Sequence, residues 1–144
     1  MNRIIVKLAE SQAELQHALQ VRHRVFVDEQ QIPVEIERDE HDVTALHAIA
    51  LVQGNVVGTG RVVRQDDGFA RIGRMAVDHA FRERGIGGRI LAQLEEESRD
   101  RGSEWAMLHA QQYIEKFYVK RGYARHGDVF LEADIPHVEM RKRL

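Results

Sequence analysis

Three glycines, Gly85, Gly87 and Gly88, alternate with Arg82, Arg84 and Arg89 just ahead of an apolar stripe formed by Ile86, Ile90, Leu91 and Leu94. The stripe has helical spacing, so the glycines fall at a helix N-terminus beginning near Arg84. Such an end offers amide donors with no partner in the helix and a partial positive charge. Glycine removes the Cβ atoms that would hold an anion away from those amides. Arginine adds charge and forked donors that match phosphate oxygens. The segment Arg82-Glu83-Arg84-Gly85-Ile86-Gly87-Gly88 therefore has the parts of a pyrophosphate cradle. Its other reading is a glycine-rich turn with solvated arginines.

Two familiar phosphate loops do not fit. A P-loop needs Lys followed by Ser or Thr after the glycines, and Gly88 is followed by Arg89-Ile90. The dinucleotide fingerprint fails at its third glycine, where Ile90 stands. The segments upstream also form a meander rather than a βαβ unit.

Arg3 to Leu8 is predicted as the first strand. Ser11-Gln12-Ala13-Glu14 is a capping box, followed by Leu15, Ala18, Leu19, Val25 and Phe26 at helical spacing. Pro33 disfavours helix at Ile32 and should end that element. A meander follows: Leu46 to Val52, a turn at Gly54-Asn55, Val56 to Val63, a turn at Asp66-Asp67-Gly68, and Ala70 to Val77. Gly58 and Gly60 mark a bulge or a close approach within the second of these strands. The helix from Arg84 ends at Gly102, with Glu95 to Glu97 on its solvated side. Trp105 to His109 is a short strand, Gln112 to Arg121 a helix closed by Gly122, and Val129 to Glu132 and His137 to Arg141 the last strands. The order is α/β with a mixed sheet.

The 144 residues suit one compact domain able to bury a core. With 21 Lys and Arg against 23 Asp and Glu, the formal net charge of −2 disfavours nucleic acid as a partner. Cysteine is absent, which excludes disulfides and fits a reducing compartment. The apolar run in Met1 to Lys7 is too short for a signal peptide, and no stretch has the length of a membrane span. These features predict a cytoplasmic protein without membrane contact. The eight histidines are scattered without ligand spacing, so no metal is expected.

Val77-x-x-x-x-Arg82-x-x-Gly85-x-Gly87-Gly88 resembles the cofactor signature of the GNAT acetyltransferases. Val21-Arg22-x-x-Val25-Phe26-Val27-x-Glu29-Gln30, His109-Ala110-Gln111, Phe117-Tyr118-x-x-x-Gly122-Tyr123 and Ile135-Pro136-His137-Val138-x-Met140 resemble the ElaA/YjcF-like branch. The blocks span nearly the whole chain. The resemblance implies one GNAT domain over residues 1–144, with a mixed, mostly antiparallel sheet flanked by helices. It also implies acetyl-CoA as donor and direct attack by an amine in a ternary complex. Met75, Ala76 and Val77 would pair with pantetheine, one of their amides polarising the thioester carbonyl. Arg82, Arg84, Gly85, Gly87 and Gly88 would hold the pyrophosphate, helped by the amides of Glu83 and Ile86.

Tyr118 corresponds to the family's tyrosine on the helix after the fifth strand, and a phenol with pKa about 10 can donate to the departing thiolate. Taken from spacing alone, it packs in the core one turn from Ile114. Tyr113 is the alternative donor. His109 is the first candidate base, with Glu29, His47 and Glu132 beside it. The run Asp28, Glu29, Glu35, Glu37, Asp39, Glu40 and Asp42, against the single Arg38, either attracts a cationic acceptor or is a solvated loop. The expected acceptor is a small amine or an exposed protein amine. A non-catalytic acyl-CoA sensor and a nucleotide-binding domain are the competing classes. An exposed sheet edge could pair two copies as a homodimer.

Overall fold

The computed structural model describes residues 3–144. Met1 and Asn2, the start of the run weighed above as a leader, lie outside the described residues. Strand β1 (Ile4–Leu8) pairs antiparallel with β2 (Leu46–Val52), β2 with β3 (Asn55–Arg64), and β3 with β4 (Phe69–Val77). The β2–β3 turn is Gln53-Gly54, one residue earlier than expected. Both residues take positive φ, 51° and 80°, as a type I′ hairpin requires. β5 (Trp105–Gln111) runs parallel to β4, because the chain crosses over through helix α3 (Ile86–Asp100). β8 (Ile135–Arg143) closes antiparallel on β5 and carries β6 (Ala124–Arg125) and β7 (Phe130–Glu132). The eight-stranded sheet has the order β1-β2-β3-β4-β5-β8-β6, with β7 beside β8. It is mixed and mostly antiparallel, as expected; β6 was not foreseen. No described helix is long and apolar enough to cross a membrane.

Helix α1 (Gln12–Arg22) starts on Ser11, whose Oγ accepts from the Glu14 amide at 3.1 Å. The Glu14 carboxylate reaches back to the amide of Glu10 rather than that of Ser11. The chain continues as a π-helical segment, His23–Glu29, and turns at Pro33 into the short α2 (Val34–Glu37). Ala18, Val21 and Val25 pack on Ile49, Val56 and Ala76, one face of the sheet. The other face is covered by Ile86, Ile90, Leu91 and Leu94 of α3. Glu95 is not on the solvated side of α3: it is 7% exposed and accepts from the Tyr123 hydroxyl at 2.7 Å and Lys142 Nζ at 3.0 Å. The expected helix over Gln112 to Arg121 divides into a 3-10 turn, Gln112–Ile114, and α4 (Glu115–Val119). Gly122, at φ 95°, ends it as expected, with the Tyr123 amide bonded back to the Tyr118 carbonyl at 3.1 Å.

Gly58 and Gly60 let α3 lie close on β3. A Cβ on Gly60 would stand 2.8 Å from Met75 Sδ, 2.9 Å from Ile90 Cγ2 and 3.0 Å from Leu94 Cδ1. Gly60→Ala therefore overpacks the core and is expected to cost about 1–3 kcal/mol, read as a lower urea midpoint with unchanged m. A midpoint equal to wild type would show that Met75 yields without strain.

The same glycine sits at a bulge. Thr59 pairs with Ala76 and Arg61 with Gly73, so Gly60 faces both Arg74 and Met75, and Arg74 takes φ 52°. On its other side, β4 pairs with β5 only as far as Ile72 and Leu108. Beyond that point the two strands separate, and the gap opens a cleft.

Candidate active site

The cleft has a volume of about 880 Å³ and is bounded by the outer ends of β4 and β5, the π-helical segment and α4. Met75, Ala76, Val77, Arg82, Gly87, His109 and Tyr118 all line it, so residues drawn from both expected halves of the chemistry meet in one place. His109 is the first residue of β5 past the last β4 pairing, which puts it at the mouth of the separation. It lies two residues before the end of β5, not at the end as expected.

At the start of α3, Gly85 occupies the N-cap with φ 77° and supplies no side chain to its amides. Glu83 also takes a left-handed φ of 64°. The first bond back into the helix runs from the Arg89 amide to the Gly85 carbonyl, leaving the amides of Ile86, Gly87 and Gly88 as donors without a helical acceptor. These are the backbone donors that a bound anion would need.

Its arginines are distributed differently from expectation. Arg82 is already paired: Nη1 and Nη2 donate to the Glu29 carboxylate at 2.9 and 2.7 Å, and Nε to the Val77 carbonyl at 2.9 Å. It ties the loop to the π-helical segment. Arg84 lies 5.1 Å from the centre of the Phe81 ring, and Arg89 donates to the Ile4 carbonyl. The cation beside the helix start is Arg121. Its guanidinium is 3.7 Å from the centre of the Phe117 ring, and Nη1 donates to the Phe117 carbonyl. A Cβ on Gly88 would fall 2.8 Å from Arg121 Nη2, so Gly88 makes room for this side chain. Sequence reasoning missed Arg121; its signal is the Phe117 to Arg121 spacing on one helical face.

Tyr118 belongs both to the core and to the cleft wall. It is 6% exposed, sits in the core with its ring edge against Phe117 and Tyr123, and also lines the cleft. Among the described residues its hydroxyl has no hydrogen-bond partner. Burial pushes this phenol up to about 12, against a smaller opposing pull from Arg121. Tyr113 is 74% exposed at the rim.

Of the four candidate bases, two are committed elsewhere. Glu29 holds Arg82. His47 is buried outside the cleft lining and donates from Nε2 to the Asp42 carbonyl at 2.9 Å; burial lowers its pKa. His109 and Glu132 form one unit, Nδ1 to Oε1 at 2.9 Å, with His137 Nε2 at 3.6 Å from the second carboxylate oxygen. The hydrogen bond from His109 holds the Glu132 carboxyl below its usual range despite burial. With Nδ1–H given to Glu132, the free lone pair of His109 is on Nε2.

Part of the acidic segment is tied to arginines, while Asp28, Glu35 and Glu40 are exposed. Arg22 donates to the Glu37 carboxylate at 2.9 and 2.6 Å and to Asp42 at 2.7 Å. Arg61 bridges Asp39 and Asp42 at 2.6 and 2.8 Å. Arg74 reaches the Glu37 carbonyl at 2.9 Å and Asp39 at 3.2 Å. Glu37, Asp39 and Asp42 are thereby neutralised by arginines from α1 and the sheet, as Glu29 is by Arg82 of the loop before α3.

The family model described as an acetyltransferase (GNAT) domain matches residues 9–144. The uncharacterized N-acetyltransferase YjcF of Bacillus subtilis (strain 168) is 37% identical over 136 residues, covering 94% of this chain and 96% of that protein. A crystal structure from Lactobacillus plantarum superposes with a TM-score of 0.92 over 99% of both chains at 29% identity. Escherichia coli ElaA does so with 0.86, again over 99% of both chains, at 27% identity.

Proposed function

The chain belongs to the GNAT acetyltransferases and is an acyltransferase, and from this we propose that it moves the acetyl group of acetyl-CoA to a primary amine by direct attack in a ternary complex. The observation that carries the reading is the meeting, in one cleft, of Gly87 in the first turn of α3, the bulged end of β4, Tyr118 and the His109–Glu132 pair. The 144 residues act as a single domain of this kind.

In this reading the amides of Glu83, Ile86, Gly87 and Gly88 hold the CoA pyrophosphate beside Gly85, with Arg84 and Arg121 supplying charge. Arg82 braces the loop through Glu29 and meets the anion only if that pair opens. Strand residues Met75, Ala76 and Val77, freed from β5 by the separation, receive pantetheine, and one of their amides polarises the thioester carbonyl. His109 Nε2 takes a proton from the acceptor ammonium, and Glu132 stabilises the resulting imidazolium. The amine nitrogen bonds to the acetyl carbon, the carbon–sulfur bond breaks, and Tyr118 donates a hydrogen bond to the departing thiolate. The second proton of the attacking nitrogen passes to the departing sulfur as the amide forms, and the proton held on His109 leaves to solvent.

The test is thiol release from acetyl-CoA across amines, amino acids, polyamines and aminoglycosides. Turnover with at least one class supports the transferase; CoA binding with silence across all would favour the sensor. With the best acceptor, His109→Ala is expected to lower kcat/KM by roughly 100-fold. An unchanged rate would eliminate His109 as the base.

A further inference from the structure

Among the described residues, the arginines lining the cleft are paired with carboxylates of the protein with one exception. Glu29 is paired with Arg82, Glu37 and Asp39 with arginines, and Glu132 with His109. Among the described residues, Arg71 lines the same cleft, is exposed, and has neither a hydrogen bond nor an ion pair. Glu37, Asp39 and Asp42 are already neutralised by arginines, so the unpaired charges of the cleft wall are the Arg71 cation and the Glu132 carboxylate, which neutral His109 hydrogen-bonds without neutralising.

Arg71 is placed to meet an acceptor. It pairs with Val63 on β3 and Met107 on β5, and Gly73 pairs with Arg61. Strand alternation puts Arg71, Gly73, Met107 and His109 on the sheet face opposite α3. The Cα atoms of Arg71 and His109 are separated by one strand spacing across and two residues along, about 8 Å. Between them lies Gly73, where a Cβ would meet no atom within 4 Å. This glycine has no positive φ to explain it, and it leaves the floor open between a free cation and the His109–Glu132 pair.

We propose that the acceptor carries a carboxylate beside its amine, as a free amino acid does, and that Arg71 binds that carboxylate over Gly73 while the amine faces His109. This rests on the reading of the cleft as an acyl-transfer site and names its substrate class. A guanidinium suits the role because its fork matches the two oxygens of a carboxylate.

The experiment uses the full chain, acetyl-CoA, the standard L-amino acids and their α-carboxamides, which keep the amine and lose the charge. Amino acids are expected to be turned over with KM roughly 10- to 100-fold below their carboxamides, the scale of one charge-assisted contact. Arg71→Ala should erase that difference without altering the KM for acetyl-CoA, and Arg71→Lys should restore part of it. Equal use of carboxamides or polyamines, or a preference that survives Arg71→Ala, overturns the assignment. If no amine is turned over although CoA raises the melting temperature, calorimetry of the CoA-loaded protein decides. Amino-acid binding lost in Arg71→Ala supports the subsite, and no binding overturns it. Failure to bind CoA is the distinct result that removes the acyl-transfer reading, and the subsite with it.

Discussion

Tyr118→Phe is expected to lower kcat by roughly 10- to 100-fold while leaving the KM for acetyl-CoA and the melting temperature near wild type. The size follows from the state of the phenol. Burial raises it to about 12, whereas an ordinary thiol titrates near 8.5. Full proton transfer from Tyr118 to a thiolate is therefore uphill by about 3 to 4 pK units, and the profitable interaction is a hydrogen bond. A hydrogen bond to a charged group contributes about 1.5–3 kcal/mol, which sets the expected range. Stability should hardly move, because the hydroxyl has no protein partner among the described residues and the ring contacts with Phe117 and Tyr123 survive in Phe. The raised value also fixes the pH behaviour: the phenol stays protonated throughout neutral pH, so the variant should lower the whole profile without shifting its limbs. A kcat equal to wild type would return Tyr118 to a core aromatic, and a parallel loss of stability would mean the ring, rather than the hydroxyl, had been disturbed.

The sheet and α3 were legible in the sequence because their signals are local. Alternating β-branched residues, the glycine-bearing turns and a four-residue apolar stripe each act within a few positions. The hairpin turn slipped by one residue because Gln53, not Asn55, takes the positive φ. Glu95 was misplaced because its partners, Tyr123 and Lys142, arrive from far along the chain. The site divides the same way. Gly85 and Gly87 were visible as backbone features, while the fates of Arg82 and Arg89 depended on Glu29 and Ile4, which no spacing rule connects to them. The acidic run showed the difficulty most fully: its charge was plain, but Arg22, Arg61 and Arg74 each approach from a different element.

That network supports the largest expected effect on stability. Arg22 is 0% exposed and bridges Glu37 and Asp42, while Arg61 and Arg74 complete the set with Asp39. Arg22→Met fills similar space but leaves two carboxylates short of their cation, and should cost about 3–5 kcal/mol. In a chain of this length that lowers the melting temperature by roughly 10 °C. Arg22→Lys should fall between, since a single ammonium cannot span both carboxylates with a fork. The pH dependence carries the same signature. Burial alone would raise Asp42, but hydrogen bonds and charge from Arg22 and then Arg61 outweigh it and hold the carboxyl far below its usual range. The hydrogen bond from Arg61 does the same for Asp39. Depressed carboxyls stabilise the fold above the unfolded value near 3.9, and that stability is lost as pH falls below it. Without Arg22, Asp42 loses part of that depression, so the gap between wild type and Arg22→Met should narrow only below about 4, once the variant's native Asp42 takes up its proton and that of wild type does not. A gap that does not narrow at any pH at which wild type stays folded would show that the lost stability is packing rather than charge. Because Arg74, at the bulge facing Gly60, is held by Glu37 and Asp39, residual turnover in the folded fraction of Arg22→Met should fall more steeply than its affinity for CoA.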